Sequence, residues 1–439
     1  MRAATLPLAA LLLSPSASAH GLFGHVHVTG WAIENLPPGE LRDFFAEPGI
    51  KEAALAGAMF PDTGYAIDQP GSRSYAEHSH WEPFIESFIQ QIRANPGDPW
   101  DTPEERQLVA FLFGAASHGL QDELFDSTFL FETEQRDPEG SQTTADPGTD
   151  GFLVQDGHAR LYPGPFLPAE TLIPLYADLA DAELIQPDLL REGADYVTGF
   201  YLNDGLGVEI AKRVGEAHRE LIPWAAAHYL DGSVAGAHRA EIRPTMKHMQ
   251  ALWDRLHAGL DPADRLVHTW PEPGRRLREA DHTSVASWAT MVLGIGVVPD
   301  STSGSLVSAN GEPVDFDLVY TRWGGVSRIV RFQPREDLEP GGIYTATLDA
   351  GALLVDGTVT DRPIQFSFQV SCADERDPRC PFLGGAIDPR IEPDERLPTA
   401  FPTWLGEGGC AQASGAAGWA AALTAAAMRR RRPTSRRGP

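Results

Sequence analysis

Apolar residues in the first half of this 439-residue chain recur with helical spacing. Trp81, Phe84, Ile85, Phe88, Ile89 and Ile92 follow the i, i+3, i+4, i+7 pattern of an amphipathic helix. Thr102-Pro103-Glu104-Glu105 reads as a capping box with proline at the first helical position. The helix that it opens is apolar on every face from Leu108 to Ala116, which predicts burial at the centre of a bundle. Residues 132–151 are rich in Asp, Gly, Pro and Thr and predict a long loop. Helical patterns resume at Ala169–Ile185, around Asp195–Val214 and at Met246–His257.

After about Asp261 the period changes to two. Val314–Tyr320, Ser327–Gln333, Ile343–Leu348 and Ile364–Val370 are short alternating segments divided by Gly, Pro and Asp turns. They predict a small β-sandwich over residues 262–372. Leu338-Glu339-Pro340-Gly341-Gly342-Ile343-Tyr344-Thr345 resembles the turn-and-strand phrase of the bacterial Ig-like modules appended to surface proteins. The fold class expected is therefore multidomain: a mainly α-helical domain, 20–258, followed by an Ig-like sandwich. Residues 373–409 are rich in Pro and Gly and read as linker.

Charge narrows the function. Lys and Arg number 35 against 61 Asp and Glu, a net charge of −26. So anionic a chain lacks the basic stripe of a phosphate-backbone binder, and nucleic acid is an improbable partner. With three cysteines, Cys372, Cys380 and Cys410, it is not a disulfide scaffold, although Cys372 and Cys380 are placed to pair after export.

Both ends read as addresses. Met1–Ala19 joins a basic residue, an apolar stretch and an Ala-Ser-Ala cleavage pattern, which predicts a secretory signal peptide and His20 as the mature first residue. Gly408-Gly409 leads into Cys410, a weakly apolar stretch and a four-arginine block in residues 410–439. That order resembles the MYXO-CTERM type of bacterial sorting tail and implies export with attachment at the outer cell surface.

The candidate chemistry lies in the helical half. His118, Asp122 and Asp126 recur every four residues on the buried helix, so they share one stripe. Ionised carboxylates on an apolar helix are unfavourable unless paired or metal-bound; the alternative is a solvated helix end. His25 and His27 lie on one side if their segment is extended. Asp62 follows Met59-Phe60-Pro61, His78 and His80 precede the Trp81 helix, and Asp146 and Asp150 stand four apart in the acidic loop. The remaining histidines, His238 among them, read as surface or core-packing residues.

Residues 20–258 resemble the zinc-dependent phospholipase C family, whose fold the fungal single-strand-specific nucleases share. The resemblance rests on Gly24-His25-Val26-His27, on Ala56-Gly57-Ala58-Met59-Phe60-Pro61-Asp62, on His78-Ser79-His80-Trp81-Glu82-Pro83-Phe84, and above all on Leu108 to His118 with Asp122 following. It implies a site for up to three Zn²⁺ ions. His20 would give its terminal amine and carbonyl, and His25, Asp62, His80, His118 and Asp122 would be ligands. Asp62 would also be the catalytic carboxylate. Asp126, Asp146 and Asp150 would complete the set, but Asp126 and Asp146 stand where the family carries histidines. An all-carboxylate site favours Ca²⁺, Mg²⁺ or Mn²⁺. The function expected is a secreted or surface-attached, metal-dependent phosphodiesterase acting on phospholipid, with contact to a membrane surface. A nuclease, or a binding and adhesion protein with an altered site, are the alternatives.

Overall fold

The capping box at residues 102–105 forms as the sequence indicates: Glu105 N–H donates to Thr102 Oγ1 at 3.2 Å, and Thr102 N–H donates to Glu105 Oε2 at 3.1 Å. It opens a helix, Pro103–Leu124, that is buried from Val109 to its end. The remaining helices assemble around this one in a computed structural model that describes residues 20–94, 100–159, 163–202, 206–257, 265–273, 275–321 and 325–372. The described residues all fall in one compact unit. The expected leader (1–19), linker (373–409), sorting tail (410–439), Cys380 and Cys410 lie outside the described residues. Cys372 is disulfide-bonded.

The helices in chain order are α1 Leu22–Glu34, α2 Glu40–Phe45, α3 Ile50–Met59, α4 Ser72–Ser79, α5 Glu82–Ala94, α6 Pro103–Leu124, α7 Leu130–Arg136, α8 Gln142–Gln155, α9 Ala169–Leu172, α10 Pro187–Leu202, α11 Leu206–Arg219, α12 Pro223–His228 and α13 Ile242–His257. A short 3₁₀ turn, Phe60–Gly64, follows α3, and a π turn, Phe125–Phe129, separates α6 from α7.

Three sequence expectations are corrected. The loop expected at 132–151 is helical, forming most of α7 and α8. Its glycines serve packing: a Cβ on Gly151 would stand 2.4 Å from Gly215 N, so α8 and α11 touch backbone to backbone. The extended segment expected for His25 and His27 is the helix α1, which sends the two rings to different sides. The single helix expected at Ala169–Ile185 breaks after Leu172 into 3₁₀ turns, where Pro174 removes a donor.

The strand-rich region holds two four-stranded sheets, ordered β1-β3-β6-β5 and β2-β8-β7-β4. The strands are β1 Leu266–Trp270, β2 Arg276–Leu277, β3 Ala289–Val297, β4 Gly304–Ser308, β5 Phe316–Tyr320, β6 Ser327–Pro334, β7 Ile343–Leu348 and β8 Ile364–Val370. The β2–β8 pair is parallel and the other pairs are antiparallel. Leu293, Leu306, Phe332, Ala346 and Phe366 bring both sheets into one core. β3 is buried along its whole length, because α13 packs on β1 and β3.

That contact fixes the β region to the back of α6. Arg328 N–H donates to Glu123 Oε2 at 2.8 Å, and its Nη1 donates to His248 Nε2 of α13 at 2.6 Å. Its guanidinium also pairs with Glu82 of α5, and the Arg331 guanidinium donates to the Ser127 carbonyl.

Candidate metal centre

α3 and α6 cross at small residues. A Cβ on Gly57 would stand 2.1 Å from Phe111 O, and one on Gly114 would stand 1.9 Å from Ala54 O. Only glycine permits this approach, so the Ala-Gly phrases of both helices encode the crossing itself. A third close contact sets the next element: a Cβ on Gly119 would stand 2.1 Å from His80 O. These contacts carry His80, at the end of α4, to within a ring centroid distance of 4.6 Å of His118.

Asp122 is the hub. Its Oδ1 lies 3.0 Å from His25 Nε2, and His20 N–H donates to the same atom at 3.3 Å. Its Oδ2 lies 3.1 Å from His118 Nε2 and 3.6 Å from His80 Nε2. His80 Nε2 is also 3.3 Å from Asp62 Oδ1. Two donor groups result, His25–His118–Asp122 and Asp62–His80–His118. His20 O completes the cluster, 3.1 Å from His25 Nε2.

Each imidazole is oriented by an acceptor behind it. Nδ1–H donates to Ala58 O in His118, to Ala76 O in His80, and to Gln121 Oε1 in His25, at 2.6, 2.6 and 3.0 Å. Gln121 is fixed in turn by its own bond to Thr29 Oγ1, 3.0 Å away. This pattern turns Nε2 inward and is the usual support of a metal-binding histidine.

The electrostatics agree with that role. Burial alone pushes the His25 ring towards neutrality, but the charge and hydrogen bond of Asp122 outweigh it and carry its pKa up to about 9. For Asp122 burial works upwards, yet His25 and His118 hold its carboxyl well below the usual range. Asp62 is also lowered, its bond to His80 overcoming burial. A proton shared among these groups occupies a place that a divalent cation fits, since both satisfy inward-facing nitrogens and carboxylates. His118 Nε2 and Asp122 Oδ2, 3.1 Å apart, have no further hydrogen-bond partner among the described residues, as expected of atoms arranged for a cation. Imidazole with carboxylate suits zinc.

The fully buried Asp122 rules out a solvated helix end. Asp126, Asp146 and Asp150 stand outside the two donor groups but close enough to interact with their charges. Asp126 lies in the π turn and so leaves the α-helical stripe of His118 and Asp122. Asp150 receives the N–H groups of Phe23 and Gly24 at 3.0 and 2.7 Å and so closes the start of α1. Asp146 lies one turn before it on α8. Burial raises the pKa of all three, to about 7 in Asp150, where the Phe23 and Gly24 bonds oppose the shift.

Two residues near the site carry no sequence signal. The His238 ring is fully buried, 4.5 Å from that of His20, which excludes the surface reading. His20 Nε2 is hydrogen-bonded to Glu241 Oε2 at 2.6 Å. Both residues lie more than a hundred positions beyond α6, where spacing gives no guide.

Residues 24–123 match the family model described as zinc dependent phospholipase C. That stretch contains His25, Asp62, His80, His118 and Asp122, and over it the resemblance read from the sequence holds. Phosphatidylinositol-glycan-specific phospholipase D of Bos taurus is 31% identical over 181 residues, which is 38% of this chain and 22% of that protein. The Mus musculus protein of that name is 37% identical over 130 residues, 28% of this chain and 15% of that protein. The chain thus spans less than a quarter of the length of these curated relatives. Among solved structures, CopC from Methylosinus trichosporium OB3b aligns with 25% of this chain and 94% of its own at 19% identity and a TM-score of 0.20, far below that of a shared fold.

Proposed function

We propose, from the zinc dependent phospholipase C stretch at residues 24–123 and the donor cluster inside it, that this chain is a metal-dependent phosphodiesterase that hydrolyses phospholipid. The observation that supports the reading is Asp122, whose Oδ1 faces His25 and whose Oδ2 faces His118 and His80. A carboxylate whose two oxygens face different imidazoles would suit cations held close together.

His25, Asp62, His80, His118 and Asp122, with the backbone of His20, would hold Zn²⁺. When bound, such cations neutralise phosphoryl oxygens and acidify water. The chain supplies the rest. Asp122 is sealed from solvent, whereas the Asp62 side chain is 12% exposed and ionised. Asp62 is therefore the carboxylate that water reaches, and its role is to accept a hydrogen bond from the attacking water and align it with phosphorus. Tyr65 and Trp81 flank His80 at ring distances of 5.4 and 5.6 Å, and Glu77 accepts from both, from Tyr65 Oη at 2.7 Å and Trp81 Nε1 at 2.9 Å. This rim is the entrance for a phosphodiester.

The acidic chain repels nucleic acid, so phospholipid is preferred over single-stranded DNA as substrate. Export and a place at the outer cell surface belong to the same reading, from the leader and tail sequences. No helix among the described residues is long and apolar enough to cross a membrane. The test is hydrolysis of phosphatidylcholine and phosphatidylinositol vesicles beside single-stranded DNA, before and after chelation and with Zn²⁺ restored. Product analysis distinguishes C-type from D-type cleavage.

A further inference from the structure

The first sheet of the β region turns only one face into the sandwich core. Cross-strand register puts Trp270 of β1 beside Thr290 of β3, and Thr290 beside Arg331 of β6. The core residues Met291, Val330 and Phe332 alternate with these positions, so Trp270, Thr290 and Arg331 lie on the opposite face. That face meets Glu132 of α7 and the turn after α12 around a cavity of about 470 Å³, the size of a small-molecule site. The lining joins two indoles, Trp270 and Trp288, to Glu272, Arg275 and Arg278.

Two unmet hydrogen bonds in that lining indicate the class of ligand. Trp270 Nε1 is a buried donor and Glu272 Oε1 a buried acceptor, and neither has a hydrogen-bond partner among the described residues. Each is unfavourable until a complement arrives. A hydroxyl both accepts and donates, and a sugar carries several on a ring whose C–H faces pack against indole. Charge narrows the class. Glu272 Oε2 is held by Arg243 Nη1 at 2.8 Å. The Arg275 guanidinium stays 3.8 Å from that oxygen, too far for a hydrogen bond, and its side chain is 57% exposed. The Arg331 guanidinium lies over the Trp288 ring, 5.1 Å from its centre, which disfavours a cationic ligand there. In a chain of net charge −26, three arginines, Arg275, Arg276 and Arg278, here outnumber two carboxylates, Glu132 and Glu272.

We propose that this cavity binds an acidic saccharide, a sugar ring that carries a carboxylate. The ring packs on Trp270 and Trp288. Its hydroxyls accept from Trp270 Nε1 and donate to Glu272 Oε1. Its carboxylate pairs with Arg275, whose planar guanidinium can hold both oxygens through parallel N–H bonds. The site shares no residue with the Asp122 cluster and stands whether or not that cluster holds metal.

The test titrates the full chain with glucuronate, with glucose and with inorganic phosphate, read by calorimetry and by indole fluorescence. Glucuronate is expected to bind about 10-fold or more tighter than glucose, the gain from a charge-assisted hydrogen bond. Added salt should weaken glucuronate and leave glucose unchanged. Arg275→Ala, at an exposed side chain, should abolish the difference between the two sugars. Trp270→Phe keeps an aromatic ring, removes the N–H and should weaken both by about 3–10-fold. If Trp270→Phe does not fold, Arg275→Ala decides. Absence of saccharide binding overturns the proposal. So does phosphate binding as tight as that of glucuronate, which makes the cavity a plain anion site, and so does an Arg275→Ala protein with wild-type glucuronate affinity. Each titration is repeated after chelation. Glucuronate binding that persists supports a separate site even if hydrolysis is never found, and binding lost with the metal overturns it.

Discussion

His118 Nδ1–H donates to the carbonyl oxygen of Ala58 across 2.6 Å, from the middle of one buried helix to the backbone of another. The bond exists because Gly57 and Gly114 let α3 and α6 meet without side chains between them. Packing and chemistry are therefore the same feature here: the crossing that builds the core also sets the direction of His118 Nε2.

Gly114→Ala tests that link. The added methyl would fall 1.9 Å from Ala54 O, a backbone atom that cannot turn away. The helices must separate, at a cost of about 1–3 kcal/mol or more for an overpacked core. Thermal melts should drop by several degrees, and zinc affinity should fall although no ligand is altered. A variant with wild-type melting and zinc binding would contradict the packing account.

Arg328 ties the β region to the helices. It pairs with Glu82, donates to His248 Nε2, and gives its N–H to Glu123, the residue after Asp122. Arg328→Ala leaves Glu82 buried and uncompensated, a loss of about 3–5 kcal/mol by analogy with other broken buried pairs. Arg335→Ala removes an exposed partner of Asp317 and should leave stability nearly unchanged, because solvent screens that pair. Equal effects in a denaturant titration would show that the Arg328 network adds nothing.

His248 is one of several buried histidines, with His27 and His238, that make stability fall on the acid side. Burial, with the charge of Arg255 second, lowers its pKa to about 3 from 6.5. The folded protein thus holds it neutral, as an acceptor for Arg328. Below pH 6.5 the unfolded chain binds a proton that the folded chain does not, so stability is complete above 6.5 and declines as pH falls towards 3. The slope is at most about 1.4 kcal/mol per pH unit for this group. His248→Gln should flatten that part of the stability profile and leave the alkaline part nearly unchanged. A profile of unchanged steepness would assign the acid loss to other groups.

The helical half was legible where one physical rule dominated. The apolar run of α6 allowed no place but the centre, and the box at Thr102–Glu105 marked its start. β7 and β8 matched their alternating segments to the residue. β3 was missed because burial on both faces removes alternation. Residues 132–151 were misread because their glycines and threonines, ordinary loop residues, serve close helix packing and buried contacts. At the site, the five residues His25, Asp62, His80, His118 and Asp122 stood in distinctive local phrases. His238 and Glu241 stand in none, and only the fold brings them to His20.

Asp122→Asn is the most direct measurement of the central claim. It keeps the shape of the side chain and removes the charge that faces His25, His118 and His80. Phospholipid hydrolysis should fall on the order of 10³-fold, the several kcal/mol that cation stabilisation supplies, and bound zinc should fall with it. Wild-type hydrolysis that survives complete chelation, or an Asp122→Asn protein as active as the parent, would contradict the account.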